Sequence, residues 1–427
     1  MRALAGRIRR DPIVARTAGL ISAQAATSAT GYFYWLLAAR YFGARQVGES
    51  ASLAAASIVV SLVASQALVA SLLVRLPRLE SQRPSVKSSL LAAAAGGGVL
   101  GAGVTIGLPY VVPALAVLHQ PVVVVSMIAI CLAQSVGSVC DGIALAVGRT
   151  LILVWRNGVF GAGKLVLLAF LVVIGVSAGP AALLGAWALS ALVTTVWAVQ
   201  RLVSLTAGAG WSWRLLRKGL GAQNVTSIGG AVPPQLLPMI VTAEAGARLA
   251  GWFSLTWLLG GLCFAISPAI SQALLPVKSQ DLTRSIRKAA LLIAVALVVP
   301  VVVYLVAGRF VLSFFGPLYA RHGWLLLAVL AMTAIPDAVT NLGVSYWRIR
   351  DDLRPAAWIN GVVAVVALGL VVGPLNAGRH GLAAVGFSWL IAQSAGCLVL
   401  LGLLLRSRRS PRPVPSLAYG HQRLAGR

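Results

Sequence analysis

Twelve apolar runs, each of about 20 residues or more and so able to cross a bilayer as a helix, recur through this 427-residue chain. They cover about 17–40, 49–74, 88–112, 120–147, 157–177, 180–202, 221–243, 249–275, 289–314, 324–346, 356–375 and 381–405. Only helices and closed barrels satisfy their backbone hydrogen bonds in lipid. The runs do not alternate apolar and polar residues as barrel strands would, so the expected fold is an all-α integral membrane protein. A charged fraction of 10%, against roughly 25% in soluble domains, excludes a soluble globular protein.

The net charge of +26 raises the question of nucleic acid, and its distribution answers it. With residue 1 placed in the cytoplasm, the inward-facing segments hold 28 of the 35 Lys and Arg residues. That is a positive-inside bias, which predicts the cytoplasmic membrane with both termini cytoplasmic. The basic tail "LRSRRSPRPVP" is read as an orientation signal that meets anionic membrane lipids, with no nucleic-acid partner. The first apolar run is too long for the core of a cleavable signal, so it is expected to remain as a span. The four cysteines all lie in apolar runs and, like the rest of the chain, show no metal-ligand spacing; no metal and no cofactor is expected.

The chain also echoes itself. "AQAATSATG" at 23–31 and "AQNVTSIGG" at 222–230 share A-Q-x-x-T-S-x-x-G at an offset of 199. Trp155, Asn157, Gly158 and Val159 recur as Trp358, Asn360, Gly361 and Val362; Ala182, Gly185 and Leu189 recur as Ala383, Gly386 and Leu390. Asp141 and Asp337 each precede a W-x-N-G-V element. These echoes divide the chain into a basic N-terminus (1–16), a six-helix bundle (17–202), a linker (203–220), a second six-helix bundle (221–405) and a basic tail (406–427). Six is even, so both halves enter from the same side. A pseudo-two-fold axis along the membrane normal should relate them, with a central cavity between.

Within the echoes, Gln24, Thr27, Ser28 and Gly31 fall at i, i+3, i+4 and i+7, as do Gln223, Thr226, Ser227 and Gly230, so each set lies on one helix face. Lipid would leave these groups unsatisfied. Two readings stand: close helix packing, or two walls of a water-filled substrate cavity, to which Asn224 and Gln235 of the seventh run would add. Pro233, Pro234 and Pro238 predict a bend in that run.

Ionisable residues inside spans are functional candidates by default. Asp141 and Lys164 lie at similar depth, roughly 12 Å into adjacent spans. Either they neutralise one another, or Asp141 is a cation or proton site and Lys164 binds an anion. Asp337 has no such counterpart, because Ala367 stands where the second half would repeat Lys164; Asn341 lies one turn from it. The stretch from Gly158 to Lys164 fits G-x-x-x-x-G-K, but Leu165 follows where a phosphate-binding loop needs Ser or Thr, and the run continues as a span.

The segment "GYFYWLLAARYFGARQVGESASLAAA", the basic turn "LLVRLPR" and "VGRTLILVWRNGVFG" resemble the polysaccharide-flippase branch of the multidrug/oligosaccharidyl-lipid/polysaccharide exporter superfamily. The resemblance implies two six-helix bundles around a central cavity and gradient-driven alternating access rather than enzymatic chemistry. The substrate it implies is a polyprenyl-phosphate-linked oligosaccharide, with polymerase or ligase machinery of cell-surface polysaccharide synthesis as partners. Relatives place basic residues in the cavity; Lys164, and Arg40 and Arg248 near span ends, are the head-group candidates here. The alternative in the same superfamily is a drug/cation antiporter, against which stands the absence of acidic residues from spans one and three. A polyprenyl-dependent glycosyltransferase or polymerase would need carboxylates in sizeable outward loops, and the outward loops are short.

Overall fold

A computed structural model describes residues 28–76, 83–175, 179–204, 222–272, 282–350 and 352–409. The described chain is helical throughout. Residues 28–41 form α1, followed by α2 (Ala44–Arg75), α3 (Arg83–Val111), a 3-10 turn (Pro113–His119), α4 (Pro121–Ala146), α5 (Thr150–Val173) and α6 (Pro180–Ser204). The second half holds α7 (Ala222–Gln272), α8 (Leu282–Ser313), α9 (Pro317–Ile349), α10 (Leu353–Val372), the short α11 (Ala377–His380) and α12 (Leu382–Arg409). Among the described residues ten helices are long and apolar enough to cross a bilayer. They account for the second to twelfth apolar runs, because α7 carries the seventh and eighth. Residues 28–41 are the described part of the first.

Helix α7 joins its two arms through Gly246, whose φ of 81° and ψ of 163° leave helical geometry. A side chain would be strained there, and glycine is not. The turn therefore falls between the two spans. Backbone geometry stays helical through Pro233, Pro234 and Pro238, and the departure from it comes at Gly246, beyond the seventh run.

Much of the surface that faces away from the bundle is apolar. On α8, Leu291, Val295, Val299, Val302 and Val306 are all exposed, the pattern of a helix that turns this face to lipid rather than water. Trp155 and Trp358, the echoed tryptophans, are 63% and 67% exposed, so both copies of the W-x-N-G-V element point their indole out of the bundle.

Packing between the halves is tightest where α2 crosses α7. A Cβ on Gly48 would run into the carbonyl of Ala247, and one on Gly251 into the carbonyl of Ala44, so the two backbones touch. Just along the crossing, the fully buried Ser52 and Thr242 hydroxyls share a hydrogen bond of 2.5 Å, and Ser52 also donates to the Pro238 carbonyl at 3.2 Å. At the same end of the bundle Arg40 donates to the Phe314 carbonyl at 2.7 Å, and the Tyr32 and Phe315 rings meet edge to face. This end is closed.

Candidate functional site: a central cavity lined by Asp141, Arg156 and Lys164

Beyond that seam the helices part around a cavity of about 640 Å³. Its walls come from both halves of the chain: α1, α2, α4, α5 and α6 on one side, both arms of α7 on the other. Ser28 and Gly31 of the first polar stripe line it, as does Gln235. Gln24 and Thr27 lie outside the described residues, as do the side chains of Gln223, Asn224, Thr226 and Ser227. Where they can be compared, the two stripes differ. Gly31 faces open space, whereas a Cβ on Gly230 would meet the Asn360 side chain. The first stripe borders the cavity, and the second packs α7 against α10 at this position.

Among the described residues, three charged side chains line the cavity: Asp141, Arg156 and Lys164. The expected neutralisation of Asp141 by Lys164 does not occur. Asp141 pairs instead with Arg156, whose Nε donates to Oδ1 at 2.7 Å and whose Nη2 donates to Oδ2. Asn157 adds a donation from Nδ2 to Oδ2 at 3.1 Å and is itself held by the Leu153 carbonyl. Gly137, on α4, makes the room: a Cβ there would overlap the guanidinium. Arginine wins over lysine because its planar fork meets both carboxylate oxygens at once.

Lys164 therefore has a different environment. It is 3% exposed, and its Nζ stands 4.1 Å from the Trp187 ring centroid, 4.9 Å from Phe160 and 5.2 Å from Tyr34. Among the described residues it makes no ion pair and no hydrogen bond. The rings are themselves fixed. Tyr34, fully buried on α1, donates its hydroxyl to the Leu183 carbonyl at 2.5 Å and packs edge to face on Trp187. Phe160 lies one turn before Lys164 on α5 and packs edge to face on Trp187 as well. A desolvated cation–π contact contributes about 2 kcal/mol, and removing an ammonium from water costs several kcal/mol. Three such rings together offset a cost of that order. The phosphate-loop-like stretch from Gly158 to Lys164 runs within helix α5, where it forms no phosphate-binding loop.

Asp337, the echo of Asp141, does not border this cavity. It lies 7% exposed between α7, α9 and α12. Its Oδ2 accepts from Asn341 at 2.9 Å and from Ser267 at 3.3 Å, and its Oδ1 accepts from Gln393 at 3.0 Å. Thr340 in turn donates to the Gln393 carbonyl oxygen at 2.8 Å, fixing the amide. Ile359 stands where the second half would repeat Arg156, so among the described residues no cation reaches this carboxyl. Arg40 and Arg248, the other head-group candidates, do not line the cavity; Arg40 is occupied at the closed end and Arg248 is exposed there.

The sequence reading misses Arg156 and the three rings. By hydropathy Arg156 groups with loop charges, and Tyr34 belongs to an aromatic-rich span end. The available signal is the i, i+4 spacing of Phe160 and Lys164, which places a ring beside the ammonium on one helix face.

An all-α membrane-spanning bundle folded around a central cavity is thus the class of protein this chain represents. Its fold is similar to that of solved transporters of the multidrug/oligosaccharidyl-lipid/polysaccharide (MOP) superfamily. An inward-facing multidrug resistance MATE family transporter of that superfamily matches with a TM-score of 0.69 at 13% identity, over 90% of this chain and 96% of the other. The MATE multidrug transporter DinF-BH, solved in complex with R6G, matches at 0.71 and 12% identity, over 93% and 96%. The lipid II flippase MurJ in an inward closed conformation matches at 0.66 and 10% identity, over 90% and 86%. No protein-family profile and no curated protein sequence matches the chain.

Proposed function

We propose that this protein is a lipid-linked oligosaccharide flippase of the cytoplasmic membrane, moving a polyprenyl-phosphate-linked sugar across the bilayer for cell-surface polysaccharide synthesis. The observation that carries this reading is the charge of the cavity wall. Asp141 is neutralised by Arg156, and Lys164 is left as a basic side chain with no described counter-ion in a low-dielectric space. Such a site attracts an anionic head group and repels a cationic substrate. A volume of about 640 Å³ falls in the range of small-molecule sites, about 300–1,000 Å³. The fold is shared with a lipid II flippase and with MATE drug transporters alike, so the choice between them rests on the cavity.

In this reading the halves 17–202 and 221–405 rock about the cavity, and the closed α2–α7 end is the outer face, with both termini cytoplasmic. The sugar-phosphate head crosses through the cavity while the polyprenyl chain stays in lipid. Polymerase or ligase machinery would receive the product. In this reading the protein acts as a carrier and not as an enzyme.

A drug/cation antiporter is the second reading, and one observation favours it: Asp337, a buried carboxyl held by neutral donors, suits a site that exchanges a proton or small cation. Reconstituted vesicles separate the two. Leaflet accessibility of a labelled polyprenyl-linked sugar should change in a protein-dependent way, and gradient-driven efflux of an organic cation dye should not. Folded protein that moves the dye and leaves the lipid-linked sugar in place overturns the proposal.

A further inference from the structure

We infer that Lys164 is a tethered cation that occupies an aromatic cage and thereby keeps organic cations out of the cavity. Tyr34, Phe160 and Trp187 come from three different helices and converge on one point, with ring centroids 5.2, 4.9 and 4.1 Å from the ammonium. This is the arrangement by which proteins recognise alkylammonium and quaternary ammonium groups. Here the occupant is supplied by the chain itself. The cavity's carboxylate is held by Arg156 and Asn157, and no described acceptor bonds the ammonium, which leaves the three rings as its described partners.

A covalently attached occupant competes at a high effective concentration, so a free alkylammonium cannot displace it at ordinary concentrations. Its charge also repels a second cation elsewhere in the cavity. Specificity of this kind is set by an introduced obstacle rather than by a new attraction. The inference rests on the cavity being the substrate path, as proposed above, but not on which sugar or lipid is carried.

The test is a gain of binding. Lys164→Gly removes the butylammonium side chain and leaves the cage vacant, and Lys164→Ala and Lys164→Ser provide milder versions. Purified full-length protein in detergent is titrated with n-butylammonium, with n-pentanol as a neutral ligand of similar length, by calorimetry and by thermal shift. Lys164→Gly should bind n-butylammonium at least tenfold more tightly than wild type and at least tenfold more tightly than it binds n-pentanol. Adding Trp187→Leu should remove the gain. Equal affinity in wild type and variant overturns the inference, and so does equal affinity for the amine and the alcohol.

A variant that fails to fold still answers. If n-butylammonium present during extraction recovers monodisperse protein and n-pentanol does not, the cage is a cation site. Recovery by both or by neither refutes it. Because the readout is binding, a failure to flip lipid-linked sugar leaves this result standing, and a failed gain of binding leaves the flippase reading standing.

Discussion

Arg156 on α5 holds both carboxylate oxygens of Asp141 on α4, with Nε 2.7 Å from Oδ1 and a second donation from Nη2 to Oδ2. The pair is largely buried, at 10% and 23% side-chain exposure, so each partner is the other's counter-ion in a space that excludes most water. Removing one partner leaves an uncompensated charge and costs about 3 kcal/mol, whereas replacing both with apolar groups is close to neutral. Asp141→Asn and Arg156→Met should therefore each lower the unfolding temperature in detergent. The double variant Asp141→Leu with Arg156→Met should recover most of the loss. Additive losses in the double variant would show that the two side chains act independently.

Asp337 is the sequence echo of Asp141 but meets neutral donors only: Asn341, Ser267 and Gln393. All three contacts are donations into the carboxyl, so an amide NH2 in place of either oxygen faces a donor unless a neighbouring amide flips. Asp337→Asn should stay folded at a cost of about 1 kcal/mol. Asp337→Leu strands the Gln393 and Asn341 amides and should cost about 2 kcal/mol or more. If Asp337 carries the coupling proton, Asp337→Asn abolishes the response of transport to a pH gradient while binding persists. Unchanged gradient dependence in a folded Asp337→Asn protein would remove this carboxyl from the coupling step.

What can be read from sequence follows physical rules that act locally. The apolar runs locate the spans because bilayer thickness sets their length. Hydropathy places the fifth run at 157–177, yet α5 begins at Thr150. Arg156 looks like a loop charge in a hydropathy window, whereas in the folded chain it lies within α5 and pairs with Asp141 on α4. For the same reason Asp141 and Lys164 are recognisable as out of place while their partners are not. Pairing depends on which faces of two helices meet, and only the folded chain decides that. The first polar stripe can be seen as one face, and Ser28 and Gly31 do border the cavity. The cage cannot be seen, since Tyr34, Phe160 and Trp187 come from three helices with no periodic relation.

The close approach between the halves supplies a prediction about movement. At the α2–α7 crossing, Gly48 lies against Ala247 and Gly251 against Ala44, with no room for a methyl group. Alanine at Gly48 must push the two backbones apart, at a cost of about 1–3 kcal/mol to the arrangement seen here. If the seam is a gate that opens during transport, Gly48→Ala destabilises the closed state and shifts the population toward the open one. The Ser52–Thr242 contact, 2.5 Å between hydroxyl oxygens, offers the readout. The double variant Ser52→Cys with Thr242→Cys should cross-link readily in otherwise wild-type protein and stop transport until reduced. In the Gly48→Ala background the cross-linking rate should fall severalfold, and labelling of the single Ser52→Cys variant by a membrane-impermeant thiol reagent should rise. Cross-linked protein that transports at the normal rate would show that the α2–α7 seam stays shut throughout the cycle and that access alternates elsewhere.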